Sequence, residues 1–109
     1  MQIDIIQLKF IDKTLRKLLV WLEEITGHIY IITCIYREND PGVHGTMPVR
    51  GIDLRCRDYD IGKMIEILIN TYWQYDPERL NKKCALLHGE GSNMHLHTQV
   101  HPNTIFLNR

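Results

Sequence analysis

The chain has 109 residues, 44% of them hydrophobic and 24% charged, and its thirteen basic and thirteen acidic side chains give a formal net charge of zero. That length accommodates one hydrophobic core, so residues 1–109 are expected to form a single domain. Acids are interleaved with Arg50, Arg55 and Arg57. That neutrality argues against a nucleic-acid groove or an anionic membrane surface, so neither nucleic acid nor membrane is expected as a partner.

The first residues, Met1 to Lys9, are too polar for a secretory signal and carry no small-residue cleavage site, and no apolar run approaches the length of a membrane span. Synthesis in the cytoplasm is therefore expected. Cys34, Cys56 and Cys84 are odd in number and widely spaced, with no CxxC pair, and read as reduced, mostly buried thiols.

Residues 1–9 offer a possible edge strand. From Asp12 to Ile25 the residues Leu15, Leu18, Leu19, Leu22 and Ile25 recur at helical spacing, with Asp12 suited to cap the start and Gly27 to stop the helix. His28 to Tyr36 is rich in β-branched and aromatic residues and reads as a strand. Arg37 to Val43 has turn chemistry, and a loop runs on from His44 to Arg50. Gly51 to Cys56 resumes an extended pattern. A second helix is expected from Asp60, with Ile61, Met64, Ile65, Leu68 and Tyr72 inward, ending near Asp76-Pro77. Cys84 to Leu87 and Met94 to Val100 read as strands flanking a turn at His88 to Asn93. Strands grouped around two helices without βαβ alternation imply an α+β fold, a small antiparallel sheet packed against the helices.

Chemistry concentrates in four residues. His95 and His97 are two apart on a strand, so both imidazoles leave the same face, roughly 7 Å apart along the backbone. They suit a metal, or a metal and its reacting water; alternatively they are polar residues on a solvated face. Asp53 sits between Ile52 and Leu54, where strand propensity disfavours an aspartate. Either a site or a salt bridge to Arg50 or Arg55 accounts for it. His44 lies in the Gly/Pro-containing loop upstream. His88 and His101 are candidate partners to a ligand or plain surface histidines, and Tyr72, Trp73 and Tyr75 are expected to be core.

The order of Ile32-Thr-Cys-Ile-Tyr-Arg37, then His44 with Arg50-Gly-Ile-Asp53, then His95-Leu-His97 resembles the LAS metallopeptidases. These include lysostaphin-type endopeptidases, D-alanyl-D-alanine dipeptidases and carboxypeptidases, and the hedgehog signalling domain. The short, often phage-encoded peptidases of the D-Ala-D-Ala carboxypeptidase type are the nearest in pattern, and the resemblance runs from Thr33 to Thr98. It implies a zinc ion on His44, Asp53 and His97, with His95 assisting catalysis and Arg37 holding a substrate carboxylate or the oxyanion. Eight residues separate His44 from Asp53, two more than is usual in the family. Met94 stands where carboxypeptidase-type members carry an acid, leaving Glu90 as the nearest acidic candidate for a general base beside His95. The function so implied is zinc-dependent hydrolysis of peptidoglycan stem or cross-link peptides by a monomer that reaches the wall after release. The alternative is a non-catalytic, zinc-stapled binding or phage assembly module on the same scaffold.

Overall fold

The computed structural model describes residues 11–28, 30–34 and 49–108. The proposed N-terminal edge strand, the turn from Arg37 and the loop through His44 to Pro48 lie outside them.

Helix α1 spans Lys13–Thr26. The Asp12 carboxylate accepts from the backbone N–H groups of Thr14 (2.8 Å) and Leu15 (3.2 Å), supplying two donors that the first turn leaves orphaned. Gly27 closes the other end at φ 70°, its N–H donating to the Glu23 carbonyl. Leu15, Leu18, Leu19 and Leu22 are buried, each contributing about 1.5–3 kcal/mol of apolar transfer free energy. Ile25, expected on the same stripe, is instead largely exposed.

Strands β1 (Ile32–Cys34), β2 (Gly51–Arg55), β4 (Ala85–His88) and β5 (His95–Gln99) form an antiparallel sheet in the order β1-β2-β5-β4. β3 (Trp73–Gln74) and β6 (Ile105–Phe106) make a separate two-stranded ribbon. The described residues therefore form an α+β fold, with two helices packed against a small antiparallel sheet, as the sequence implies. The pleat divides the sheet into two chemistries. Ile52, Leu54, Leu96 and Ala85 are buried on the core side, in one cluster with the α1 leucines and with Ile65 and Ile69, and Thr98 is buried on the same side. Asp53, Arg55, His95 and His97 alternate with them and so take the opposite face.

Helix α2 spans Tyr59–Tyr72 and departs from expectation in its start, its inner face and its end. Its cap is Asp58, whose carboxylate accepts from the Ile61 N–H at 3.0 Å. Ile65, Leu68 and Tyr72 pack on the core as expected, but the buried positions are Gly62, Ile65 and Ile69, and Ile61 and Met64 are 42% and 61% exposed. Glycine is the reason: a Cβ on residue 62 would sit 2.5 Å from Cys56 Sγ and 2.9 Å from Leu87 Cδ1, so the helix seats at the position that has no side chain. The helix also stops at Tyr72, well short of Asp76-Pro77, because Trp73 and Gln74 are taken up by pairing with Phe106 and Ile105. Trp73 and Tyr75 are core residues, as expected.

The same helix closes the sheet edge. Glu66 Oε2 accepts from the Leu87 N–H (2.6 Å), while Asn70 accepts from the Ala85 N–H (3.0 Å) and donates to its carbonyl (2.9 Å). Two helical side chains thereby bond the edge of β4 where no described strand pairs with it, and leave less bare backbone for another chain to pair with. Among the described residues no helix is long and apolar enough to cross a membrane.

Candidate functional site

The site is a product of strand register. β2 and β5 pair Asp53 with His97 and Arg55 with His95, and β4 places His88 beside His95. Three imidazoles and one carboxylate therefore share the face of the sheet opposite the core. His97 Nδ1 lies 2.9 Å from Asp53 Oδ1 and His95 Nε2 lies 3.9 Å from Asp53 Oδ2. The aspartate in an apolar strand is thus turned toward the histidines of the facing strand.

Hydrogen-bond logic then fixes the rings. Gln99 donates its Nε2–H to the Lys83 carbonyl at 2.8 Å; a carbonyl only accepts, so the amide is oriented with Oε1 toward His97 Nε2, 3.0 Å away. His97 Nε2 must therefore be the donor. In a neutral ring the other nitrogen, Nδ1, then carries a lone pair, and that lone pair faces the Asp53 carboxylate oxygen at 2.9 Å. Two lone pairs at this distance require a positive centre between or on them. It is either a second ring proton or a metal ion.

A carboxylate and an imidazole are both donor types that zinc accepts. Two ligands at about 2.0–2.1 Å in a tetrahedral site stand roughly 3.3 Å apart, so the pair needs to open by only a few tenths of an ångström. The Gln99 contact is also what a metal-bound histidine ordinarily makes with its second nitrogen. Among the described residues, no group of three or more His, Cys, Asp or Glu side chains is placed to hold a metal. Asp53 and His97 supply two donors, and the expected third, His44, lies outside the described residues, as does Arg37.

His95 is fixed by its own neighbour. The Asn93 carbonyl, 2.9 Å from His95 Nδ1, can only accept, so Nδ1 carries the proton and Nε2 presents its lone pair on the Asp53 side. The turn that delivers Asn93 depends on Gly89, at φ 89°, where a side chain would collide with the Asn93 carbonyl. His88 packs against His95 with ring centroids 4.2 Å apart and planes tilted by 58°, and its ring centroid lies 6.1 Å from that of His97. His88 stays exposed, yet partial desolvation holds its imidazole below the usual histidine value, repulsion from His95 and His97 adding to the effect and Asp53 opposing it. His88 belongs to the cluster, although its turn position gave it no more weight than His101. The signal was the hairpin register that brings residue 88 opposite residue 95.

The remaining candidates fall elsewhere. Glu90 is exposed at the start of the 3₁₀ turn Gly91–Asn93, and its side chain makes no capping hydrogen bond. It does not line the cleft of about 360 Å³ that opens beside Asp53 and His95. His101 packs on Tyr75 (5.5 Å between ring centroids) and lies 3.9 Å from Asp76 Oδ2, with the ribbon rather than the histidine cluster. Of the cysteines, Cys84 is a free, fully buried thiol pushed up to about 12 by burial, and Cys56 is free and half-buried.

A scan of protein-family models, a search of curated proteins and a search of solved structures each found no match for this chain.

Proposed function

We propose that the chain is a zinc-dependent peptidase acting on stem or cross-link peptides of peptidoglycan, close in type to small D-Ala-D-Ala carboxypeptidases. The observation that carries this reading is the Asp53–His97 pair, whose facing acceptors at 2.9 Å call for a positive centre while Gln99 holds the other ring nitrogen. Asp53 and His97 would hold the zinc, together with His44 as the sequence resemblance implies. Bound there, zinc supplies a Lewis acid for the scissile carbonyl and brings its water to a pKa near neutrality.

The chain's own groups account for the proton. His95 Nε2 accepts it from the attacking water, because the Asn93 carbonyl keeps the ring's proton on Nδ1. The resulting imidazolium is stabilised by the Asp53 carboxylate nearby and returns the proton to the leaving amine. Glu90, exposed and outside the cleft, is the weaker candidate for this role. The protein would be made in the cytoplasm, work as a monomer and meet the wall after release.

The test is peptide release from purified sacculi. Zinc-loaded wild type should release peptides, while His95→Ala should retain its zinc and lose about 10²–10⁴-fold in rate. Equal rates for the two proteins would remove His95 from the mechanism. A second reading is favoured by Met94 standing where an acid would serve as base and by the outward position of Glu90. In it the zinc is a structural staple of a binding or phage assembly module. Stoichiometric zinc with no peptide release from sacculi would select that reading.

A further inference from the structure

Asp53 shares its strand face with Arg55, the residue two positions on, and Arg57 follows just past the strand end. Both arginines are exposed. They line the 360 Å³ cleft together with Thr33, Asp53, Asn93 and His95. No described residue forms an ion pair or hydrogen bond with either guanidinium.

The acids nearby are committed to other tasks. Asp53, the one acid in the described cleft wall, faces His97 at 2.9 Å and His95 at 3.9 Å. Asp58, next to Arg57 in sequence, caps α2 through the Ile61 N–H. Two guanidiniums opening on one cleft, with no carboxylate bound to either among the described residues, repel each other and attract an anion. Their planar forks suit the two oxygens of a carboxylate. The volume lies at the low end for ligand pockets and matches a group of about one amino-acid residue.

We infer that this cleft seats a carboxylate of the bound peptide on Arg55 and Arg57, directly beside the Asp53–His97 pair. The inference rests on the peptidase reading for the word peptide, but the oxyanion seat depends only on the cleft. It makes the two arginines specificity-determining residues: they hold a substrate by its acidic end, so that the bond next to that residue lies at the histidines.

The experiment is calorimetric titration of the full-length protein, with and without zinc, using D-alanyl-D-alanine, its C-terminal amide, a D-alanyl-D-glutamate amide whose only carboxylate is in the side chain, and inorganic phosphate. The free dipeptide is expected to bind at least tenfold more tightly than its amide. Arg55→Ala and Arg57→Ala should each remove that tenfold preference, and the Lys variants should restore it only in part. Melting curves should match wild type, since both side chains are exposed. If the side-chain acid binds and the free dipeptide does not, the carboxylate seat stands and takes a side chain instead of a terminus. Equal binding of acid and amide, arginine variants with wild-type affinity, or phosphate binding more tightly than both acids would overturn the proposal. Zinc dependence separates it from the peptidase reading. Arginine-dependent carboxylate binding in a protein that never takes up zinc would sink the peptidase and keep the cleft. Zinc-dependent peptide release insensitive to both arginine variants would do the reverse.

Discussion

Replacing Gln99 with leucine probes the logic of the site without touching a proposed ligand. The wild-type amide makes two hydrogen bonds, to His97 Nε2 at 3.0 Å and to the Lys83 carbonyl at 2.8 Å. At roughly 1 kcal/mol net for each, Gln99→Leu should lower the stability of the metal-free protein by no more than about 2 kcal/mol. Its larger effect falls on the metal. With no acceptor at Nε2, the His97 ring is free to take the tautomer that puts its proton on Nδ1, the atom facing Asp53. Loss of such an orienting partner costs about 10–100-fold in metal affinity. That corresponds to about 1.4–2.7 kcal/mol. Competition against a chromophoric zinc chelator measures the change directly, with Gln99→Glu, which keeps an acceptor toward Nε2 but loses the donor to the Lys83 carbonyl, expected to bind zinc more tightly than Gln99→Leu. A leucine variant that binds zinc as tightly as wild type would show that Gln99 does not set the His97 tautomer, and the argument for a positive centre at Nδ1 would fall with it.

Three further outcomes follow from contacts around the site. Asn70→Ala removes both partners of the fully buried Ala85 backbone and should cost about 2–4 kcal/mol in urea denaturation, with faster amide exchange at Ala85; unchanged exchange there would contradict the edge-closing role. Gly89→Ala should cost about 1–3 kcal/mol through its positive φ and its collision with the Asn93 carbonyl. By unhooking His95 it should also reduce turnover more than zinc content, and a parallel loss of both would contradict this. Acid should destabilise the fold through Glu66 and Asp76. Burial pushes the Glu66 carboxyl up, but the Leu87 amide and the Lys63 ammonium outweigh it and hold the group below its ordinary value. The Glu78 amide and Arg79 likewise lower Asp76. Groups with depressed folded values stabilise above the unfolded carboxylate range, about 3.9–4.3, and lose that contribution as pH falls through the lower folded values. Urea midpoints should hold steady down to about pH 5 and drop below about pH 4, less steeply in Glu66→Gln and Asp76→Asn.

Much of this architecture is local and was therefore readable. The Asp12 cap, the Gly27 stop, the leucine stripe of α1 and the alternation that puts His95 and His97 on one face follow from residue type and spacing alone. What escaped the sequence depended on distant partners. The inner face of α2 turns on Gly62 meeting Cys56 and Leu87, and the early end of that helix turns on Phe106 pairing with Trp73. Spacing within the helix reports neither. The role of Asn70 and Glu66 as a surrogate strand was hidden for the same reason, since both read as ordinary polar helix positions. At the site, Asp53 was suspected because an acid is out of place in that strand, but its register with His97 came only from the pairing of β2 with β5. Gln99 carried no sequence signal, and Arg55 and Arg57 read as part of a neutral stretch because the commitment of Asp58 to a helix cap was not visible.

Metal analysis of protein purified without chelator or a polyhistidine tag tests the central claim most directly. About one zinc per wild-type chain is expected, and almost none in Asp53→Ala or His97→Ala. Wild-type protein that carries almost no zinc and takes none up on dialysis, or the same zinc content in all three proteins, would contradict it.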